Sequence, residues 1–143
     1  MKLISPAASF ELSIVGYSQK TANWRDRNKL QCRFSTFWGQ KGDTQSLPLQ
    51  TWEISRLLTN LRSLSNKVVN RIDLTFSEPG LSVEAVTLPN GNYRLQIQLD
   101  HALTPSWHTY PDFPMEMDMV LTRNQLQEAI QSLSEQLASY PER

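Results

Sequence analysis

The chain has 143 residues, with 14 Lys and Arg residues balanced by 14 Asp and Glu residues, and its length predicts a single domain over residues 1–143. The zero net charge gives no overall field that would attract nucleic acid or a membrane surface, so we expect neither as a partner. With one cysteine, no long apolar run and no secretory signal, the sequence indicates a cytoplasmic protein.

The first part of the chain predicts three strands. A short strand at residues 2–4 is followed by residues 9–17, in which apolar and polar side chains alternate with the period of a half-buried strand. Residues 28–38 continue this pattern and place Leu30, Cys32, Phe34 and Trp38 on one face. Residues 39–49 include two glycines, an aspartate and a proline, and we interpret them as a loop.

A helix is predicted next, over residues 52–65. Its apolar side chains form one stripe at helical spacing: Ile54, Leu57, Leu58, Leu61 and Leu64. Thr51 is the expected N-cap, and Glu53 in the first turn suits the positive end of the helix dipole.

Four more strands are predicted, at residues 70–76, 81–88, 93–100 and 115–121, and the second and third form a hairpin. A two-residue loop of Asn90 and Gly91 would set Glu84 opposite Ile97 on the apolar face. A three-residue loop ending at Asn92 instead sets Ile97 opposite Ala85. We therefore predict the three-residue loop, or a two-residue loop with a bulge, because a slip of one residue would turn every side chain to the wrong face.

A second helix, over residues 123–140, closes the pattern and starts at a capping box formed by Thr122 and Gln125. Hairpin signals dominate the strands, and each helix has one apolar stripe. The predicted fold class is therefore α+β, with a mostly antiparallel twisted sheet of about six to seven strands and two amphipathic helices packed on it. The predicted order is β-β-β-α-β-β-β-β-α.

The residue types that carry catalysis or cofactor binding do not occur in a supporting arrangement. The two histidines, His101 and His108, have no cysteine pair to complete a zinc site, and the five glycines match no phosphate-binding loop. Cys32 falls at an inward strand position, where cysteine usually acts as a small apolar residue. We predict a protein that is not an enzyme, with no catalytic residues, no cofactor and no metal.

Aromatic side chains in two connecting segments are the candidates for protein binding. Trp24 and Arg25 lie in a short basic segment, and Trp107, Tyr110 and Phe113 lie in a proline-rich one. Trp, Tyr and Arg are favoured anchors of protein interfaces. The alternatives are a solvated connecting loop for the first segment and rings folded over one end of the sheet for the second.

Several segments resemble the WapI-like immunity proteins of bacteria. They are Phe10-Glu11-Leu12-Ser13-Ile14-Val15-Gly16-Tyr17, Asp26-x-Asn28-x-Leu30, Leu49-x-Thr51-Trp52-Glu53-Ile54, Phe76-x-Glu78-Pro79-x-Leu81-Ser82 and Leu133-x-x-Gln136-Leu137-x-x-Tyr140-Pro141-x-Arg143. The match follows the chain order over almost its full length. This chain departs from the family in its zero net charge, since members are typically acidic.

The resemblance implies a small cytosolic α+β protein that binds and blocks a cognate toxin domain, with no catalytic residues to carry over. A second hypothesis is a cytosolic regulatory domain that binds a small ligand between sheet and helices. In that case Met115, Met117 and Met119 would line an adaptable pocket. The oligomeric state is left open by the sequence.

Overall fold

The computed structural model describes residues 1–18, 27–77, 80–108 and 113–142, and these residues form two four-stranded antiparallel sheets, each followed by a helix. The first sheet has the order β1 (Lys2–Ile4), β2 (Ala8–Tyr17), β3 (Lys29–Trp38) and β4 (Lys41–Gln50). The second has the order β5 (Arg71–Thr75), β6 (Leu81–Thr87), β7 (Tyr93–Leu99) and β8 (Met115–Leu121). The helices are α1 (Thr51–Ser65) and α2 (Arg123–Ala138).

The structure confirms the α+β class, the antiparallel pairing and both helices, and the described residues form eight strands in the order β-β-β-β-α-β-β-β-β-α. The interpretation of residues 39–49 as a loop is wrong, because this segment contains most of β4. Gly39, at φ 61°, permits a tight two-residue turn after Trp38, and Lys41 then pairs with Trp38. The polar composition of β4 concealed it, because strand formation here depends on pairing with β3 rather than on intrinsic propensity.

The hairpin between β6 and β7 has the predicted three-residue loop, at a different position. Leu88 donates its N–H to Asn92 O at 2.8 Å, so the loop is residues 89–91, and Gly91 takes the left-handed conformation at φ 84°. Ile97 consequently pairs with Val83 instead of Ala85. Because this difference is two residues, every side chain keeps its predicted face.

The core is formed by the inward face of each sheet and one stripe of each helix. Alternate residues along β2, β3 and β6–β8 are buried, as the period of two requires. The largest fully buried side chains are Phe10, Phe34, Leu3, Leu12, Leu30, Leu49, Ile54, Leu57, Leu61, Leu64, Leu95 and Ile97.

Glu53 joins the start of α1 to the end of β5. Gln50 rather than Thr51 is the N-cap, and its N–H donates to Glu53 Oε1 at 3.2 Å. The fully buried Glu53 carboxylate also accepts the Ser77 N–H at 2.7 Å and the Ser77 hydroxyl at 2.9 Å. Glu53 therefore has a structural role that explains why a carboxylate is tolerated in the core.

The end of α2 is fixed to a bulge in β2. The pairing of β2 with β3 shifts between Ile14 and Gly16. On the other side of β2, beyond the part that pairs with β1, the Ile14 N–H donates to Gln136 Oε1 at 2.8 Å. Tyr140 donates its hydroxyl to Val15 O at 3.1 Å and stacks edge-on against Tyr17. These contacts give a structural reason for the Gln136 and Tyr140 positions of the resemblance.

Candidate protein-binding surface

Two of the five predicted anchor residues lie in the described part of the chain. Trp24, Arg25 and Tyr110 are outside the described residues. Trp107 is partly buried against the core, whereas Phe113 is 67% exposed. A hydrogen bond of 2.9 Å between His108 Nε2 and Phe113 O connects the residue after Trp107 to Phe113.

Asp43 anchors this segment to β4. Its Oδ2 accepts the Ser106 N–H at 2.8 Å and the Gln45 side-chain amide at 2.8 Å. Partial burial raises the pKa of the Asp43 carboxyl, but the hydrogen bonds from Gln45 and Ser106 outweigh this effect and hold the pKa below its ordinary value. Asp43 therefore stays ionised at neutral pH and fixes residues 104–108 beside the β3–β4 hairpin.

The end of the first sheet carries an exposed apolar patch made of Ile4, Phe37 and Trp38, which we call the hairpin-end patch. The three side chains are 53%, 47% and 43% exposed, respectively. The sheet register places Ile4 and Phe37 on either side of Ser9 on the outer face, and Trp38 opposite Ala8. A groove of about 520 Å³ runs between them, lined also by Pro6 and Ala7 of the β1–β2 turn.

A second, more polar groove of about 540 Å³ adjoins the hairpin-end patch. It shares Phe37 with the first groove and continues over Glu11, Ser35 and Thr44. The Phe37 ring lies against Gly42, since a Cβ built at Gly42 would be 3.4 Å from the ring. Phe37 therefore forms the ridge between an apolar depression and a polar one.

Sequence reasoning missed the hairpin-end patch for an identifiable reason. Trp38 falls in the inward phase of β3, as predicted, but it is the last residue of the strand at the hairpin end and is exposed there. Phe37 points outward, as do Gln31, Arg33 and Ser35. An aromatic ring in this otherwise polar row was the sequence signal that could have revealed the hairpin-end patch. Reading residues 39–49 as a loop hid the hairpin that presents both rings.

The outer face of the second sheet is polar, and its acidic side chains outnumber its basic ones. Two arginines face four carboxylates, which gives this face a net charge of −2: Arg71, Arg94, Asp73, Glu84, Glu116 and Asp118. Arg71 pairs with Glu84 at 2.8 Å and Arg94 with Asp118 at 3.3 Å, both well exposed. The zero net charge of the chain therefore coexists with an acidic face.

Among the residues that the structure describes, the buried cysteine and methionines have no arrangement that supports reactivity or ligand binding. Cys32 is fully buried, and desolvation raises the pKa of its thiol to about 12, so it is protonated at neutral pH. Met115, Met117 and Met119 are core residues and line none of the grooves mentioned above. Within the described ranges, no three His, Cys, Asp or Glu side chains lie close enough to hold a metal ion, and no helix could span a membrane.

Two four-stranded antiparallel sheets, each followed by a helix, define an α+β fold that occurs in solved structures. WHY1 from Arabidopsis thaliana is similar, with a TM-score of 0.54 and 13% identity over 98% of this chain and 83% of that chain. The MRP1/MRP2 structures from Trypanosoma brucei give a TM-score of 0.49 and 10% identity over 95% and 86% of the two chains. At these identities the likeness to WHY1 concerns the fold alone.

The family is shown by the sequence itself. The profile of the immunity protein WapI-like family matches residues 2–141, so the chain belongs to this family. A comparison with curated proteins gives no match.

Proposed function

We propose that this protein is a non-catalytic immunity protein that binds a cognate bacterial toxin domain in the cytoplasm and occludes its working surface. Membership of the immunity protein WapI-like family supports the kind of function. The hairpin-end patch supports the mode, because it presents Ile4, Phe37 and Trp38 together on one end of a rigid sheet. The patch is the observation that carries the proposal.

The hairpin-end patch has the composition of an interface centre. Aromatic residues in partly enclosed positions supply most of the binding energy at protein interfaces, surrounded by polar residues that exclude water. Here Phe37 and Trp38 are the rings, and Ser9, Ser35 and Thr44 are short polar neighbours. Such a centre suits a partner that contributes an apolar side chain to the groove beside Pro6.

The neighbouring segment enlarges this surface towards the size of a specific interface, which buries about 800 Å² on each partner. Ser106 is hydrogen-bonded to Asp43, whose cross-strand partner Thr36 directly precedes Phe37. Phe113 is exposed on the same segment. Trp24, Arg25, Trp107, Tyr110 and Phe113 thus remain candidate anchors, with Trp107 acting chiefly as support because it is partly buried.

The test measures binding of purified, catalytically inactivated toxin domains from the source genome to the full-length protein by calorimetry. We expect one domain to bind tightly and the double variant Phe37→Ala, Trp38→Ala to weaken its binding at least about 100-fold, since central rings contribute 2 kcal/mol or more. Thermal melting should change little, because both rings are already nearly half exposed.

Trp52→Ala is the matched control. Trp52 is 52% exposed, yet it follows the far end of the ten-residue β4, a separation of roughly 30 Å from the hairpin. Unchanged toxin binding is expected for this variant. Equal losses for Trp52→Ala and for the double variant would refute the hairpin-end patch, and no binding by any toxin domain would refute the immunity function.

A further inference from the structure

The two sheets have four edge strands, and three of them are short or covered. β1 has only three residues, and β8 lies against β1. In β5, the outward carbonyl of Thr75 accepts a hydrogen bond from Arg56 Nη2. Proteins generally protect edges in such ways, because unpaired N–H and C=O groups can pair with another chain.

β4 is the long edge strand of the first sheet. Two contacts determine which of its residues bond to β3 and which point away from the sheet. The two-residue turn makes Trp38 and Lys41 a hydrogen-bonded pair, and at the other end the Thr51 N–H donates to Asn28 O at 3.0 Å. Odd-numbered residues of β4 therefore bond to β3. The backbone groups of its even-numbered residues point away from the sheet.

This edge is closed at one end only. Pro48 has no N–H to present, and the Gln50 N–H donates to Glu53 Oε1. In contrast, the outward backbone groups of Gly42 and Ser46 and the Thr44 carbonyl bond to no described residue, whereas the Thr44 N–H is shared with the Asp43 carboxylate. All three residues are exposed. Residues 42–46 are therefore an open edge, which lies beside the polar groove of about 540 Å³.

We propose that the open edge receives an extended, acidic segment of a protein partner, which adds a fifth strand to the first sheet. Main-chain hydrogen bonds would supply affinity, and side chains would supply selectivity. Arg33 lies opposite Ser46 on the outer face, is exposed and forms no ion pair with any described residue. Because Ser46 is short, the Arg33 guanidinium can reach past it to the added strand.

Lys41 is a second exposed cation, at the hairpin end of the open edge. Lys41 and Asp43 share the face opposite to that of Arg33, and the Asp43 carboxylate is occupied there by Ser106 and Gln45. The charges available to an added strand are therefore positive, with Arg33 on the outer face and Lys41 on the other, which favours acidic side chains in the partner. The inference rests on the proposed function only for the partner's identity as a toxin domain.

The test removes one outward N–H of the open edge and controls separately for the loss of the side-chain hydroxyl. Ser46→Pro removes an outward N–H in the same phase as the natural Pro48, so the ladder to β3 remains. Ser46→Ala is the matched control, because it removes the hydroxyl and keeps the N–H. The probes are two short synthetic peptides, one alternating Glu with Val and the other alternating Lys with Val, titrated against the amide NMR signals of the full chain.

We expect the Glu/Val peptide to shift the Thr44 and Ser46 amides and to bind at least about tenfold more tightly than the Lys/Val peptide. Ser46→Ala should retain this affinity, whereas Ser46→Pro should lose at least about tenfold. If Ser46→Pro does not fold, the double variant Arg33→Glu, Lys41→Glu replaces it, and the peptide preference should reverse. Equal binding of both peptides, or shifts confined to other strands, would overturn the proposal.

Light scattering tests whether a second copy of this chain, rather than an acidic partner, occupies the open edge. A dimer that Ser46→Pro abolishes would give the open edge to a second copy and overturn the acidic partner. The two proposals also fail separately. Toxin binding that Phe37→Ala, Trp38→Ala weakens but Ser46→Pro leaves intact refutes the edge alone, and peptide binding without any toxin binding refutes the immunity function alone.

Discussion

At the scale of single residues, Gly80 shows how a turn limits the choice of side chain. Its φ is 125°, and a Cβ added there would lie 2.5 Å from the Asp100 carbonyl oxygen. The Asp100 N–H also donates to Gly80 O at 2.8 Å, so the two backbones are held together. The sequence predicted a turn at Gly80, but the partner of its close contact lies in a distant segment that spacing could not identify.

We expect Gly80→Ala to lower the free energy of unfolding by at least about 2 kcal/mol, since it combines an unfavourable φ with a backbone clash. Urea denaturation followed by circular dichroism measures the change. Gly16→Ala is the control, because nothing lies within 4 Å of a Cβ at Gly16. That variant should stay within about 0.5 kcal/mol of the native protein or be more stable; similar losses for both would contradict the clash at Gly80.

At the scale of secondary-structure elements, α2 is fixed by a side chain as well as by its apolar stripe. Gln136 accepts the Ile14 N–H, which faces the β1 side of β2 beyond the residues that pair with β1. The apolar stripe of α2 could be predicted from helical spacing. This polar contact could not, because spacing along the chain does not show which distant strand edge the Gln136 side chain will meet.

We expect Gln136→Ala to cost about 1–3 kcal/mol of stability, because a partly buried N–H is left without an acceptor. Gln131→Ala on the same helix is the comparison, since Gln131 is exposed and bonds only to Glu135 at 3.0 Å. Its effect should stay within about 0.5 kcal/mol in the same urea titration. A loss no larger for Gln136→Ala than for Gln131→Ala would show that the bulge does not depend on this contact.

The elements also show where sequence reasoning succeeds and where it fails. Clear alternation predicted β7 and β8 to within a residue, because half-buried strands repeat every two residues. β4 was missed because it is an edge strand whose outward face consists of Gly42, Thr44, Ser46 and Pro48. The same polar character that hides this strand in the sequence gives the open edge its accessibility, so the fold was easier to predict than the candidate site.

At the scale of the whole molecule, Cys32 lies at the centre of the first sheet and reports on its integrity. The side chain is fully buried, and its thiol pKa is raised to about 12 by desolvation. Modification therefore requires opening of the sheet and not only deprotonation.

We expect a thiol reagent at pH 8 to modify Cys32 no faster than the core opens, and its rate to rise with urea in step with unfolding. The unfolded chain, whose thiol has an ordinary pKa near the model-peptide value, provides the control and should react at once. Rapid modification of the native protein at pH 8 would contradict the buried position of Cys32.

The separation of charge is also a property of the whole molecule. The outer face of the second sheet is acidic, while Arg33 and Lys41 flank the open edge of the first. Composition gives only the sum, which is zero. The direction in which a charged partner approaches therefore depends on the fold, and the neutrality of the chain carries no information about it.

The contact between Ile14 and Gln136 has a consequence for protein synthesis, because it spans 122 positions of the chain. The first sheet leaves the ribosome long before α2 does, so the Ile14 N–H of its bulged strand waits without this partner until α2 has been made. A newly made chain should thus form the contact between Ile14 and Gln136 late in its folding. Under the proposed immunity function, translation time would add directly to the delay before a cell is defended.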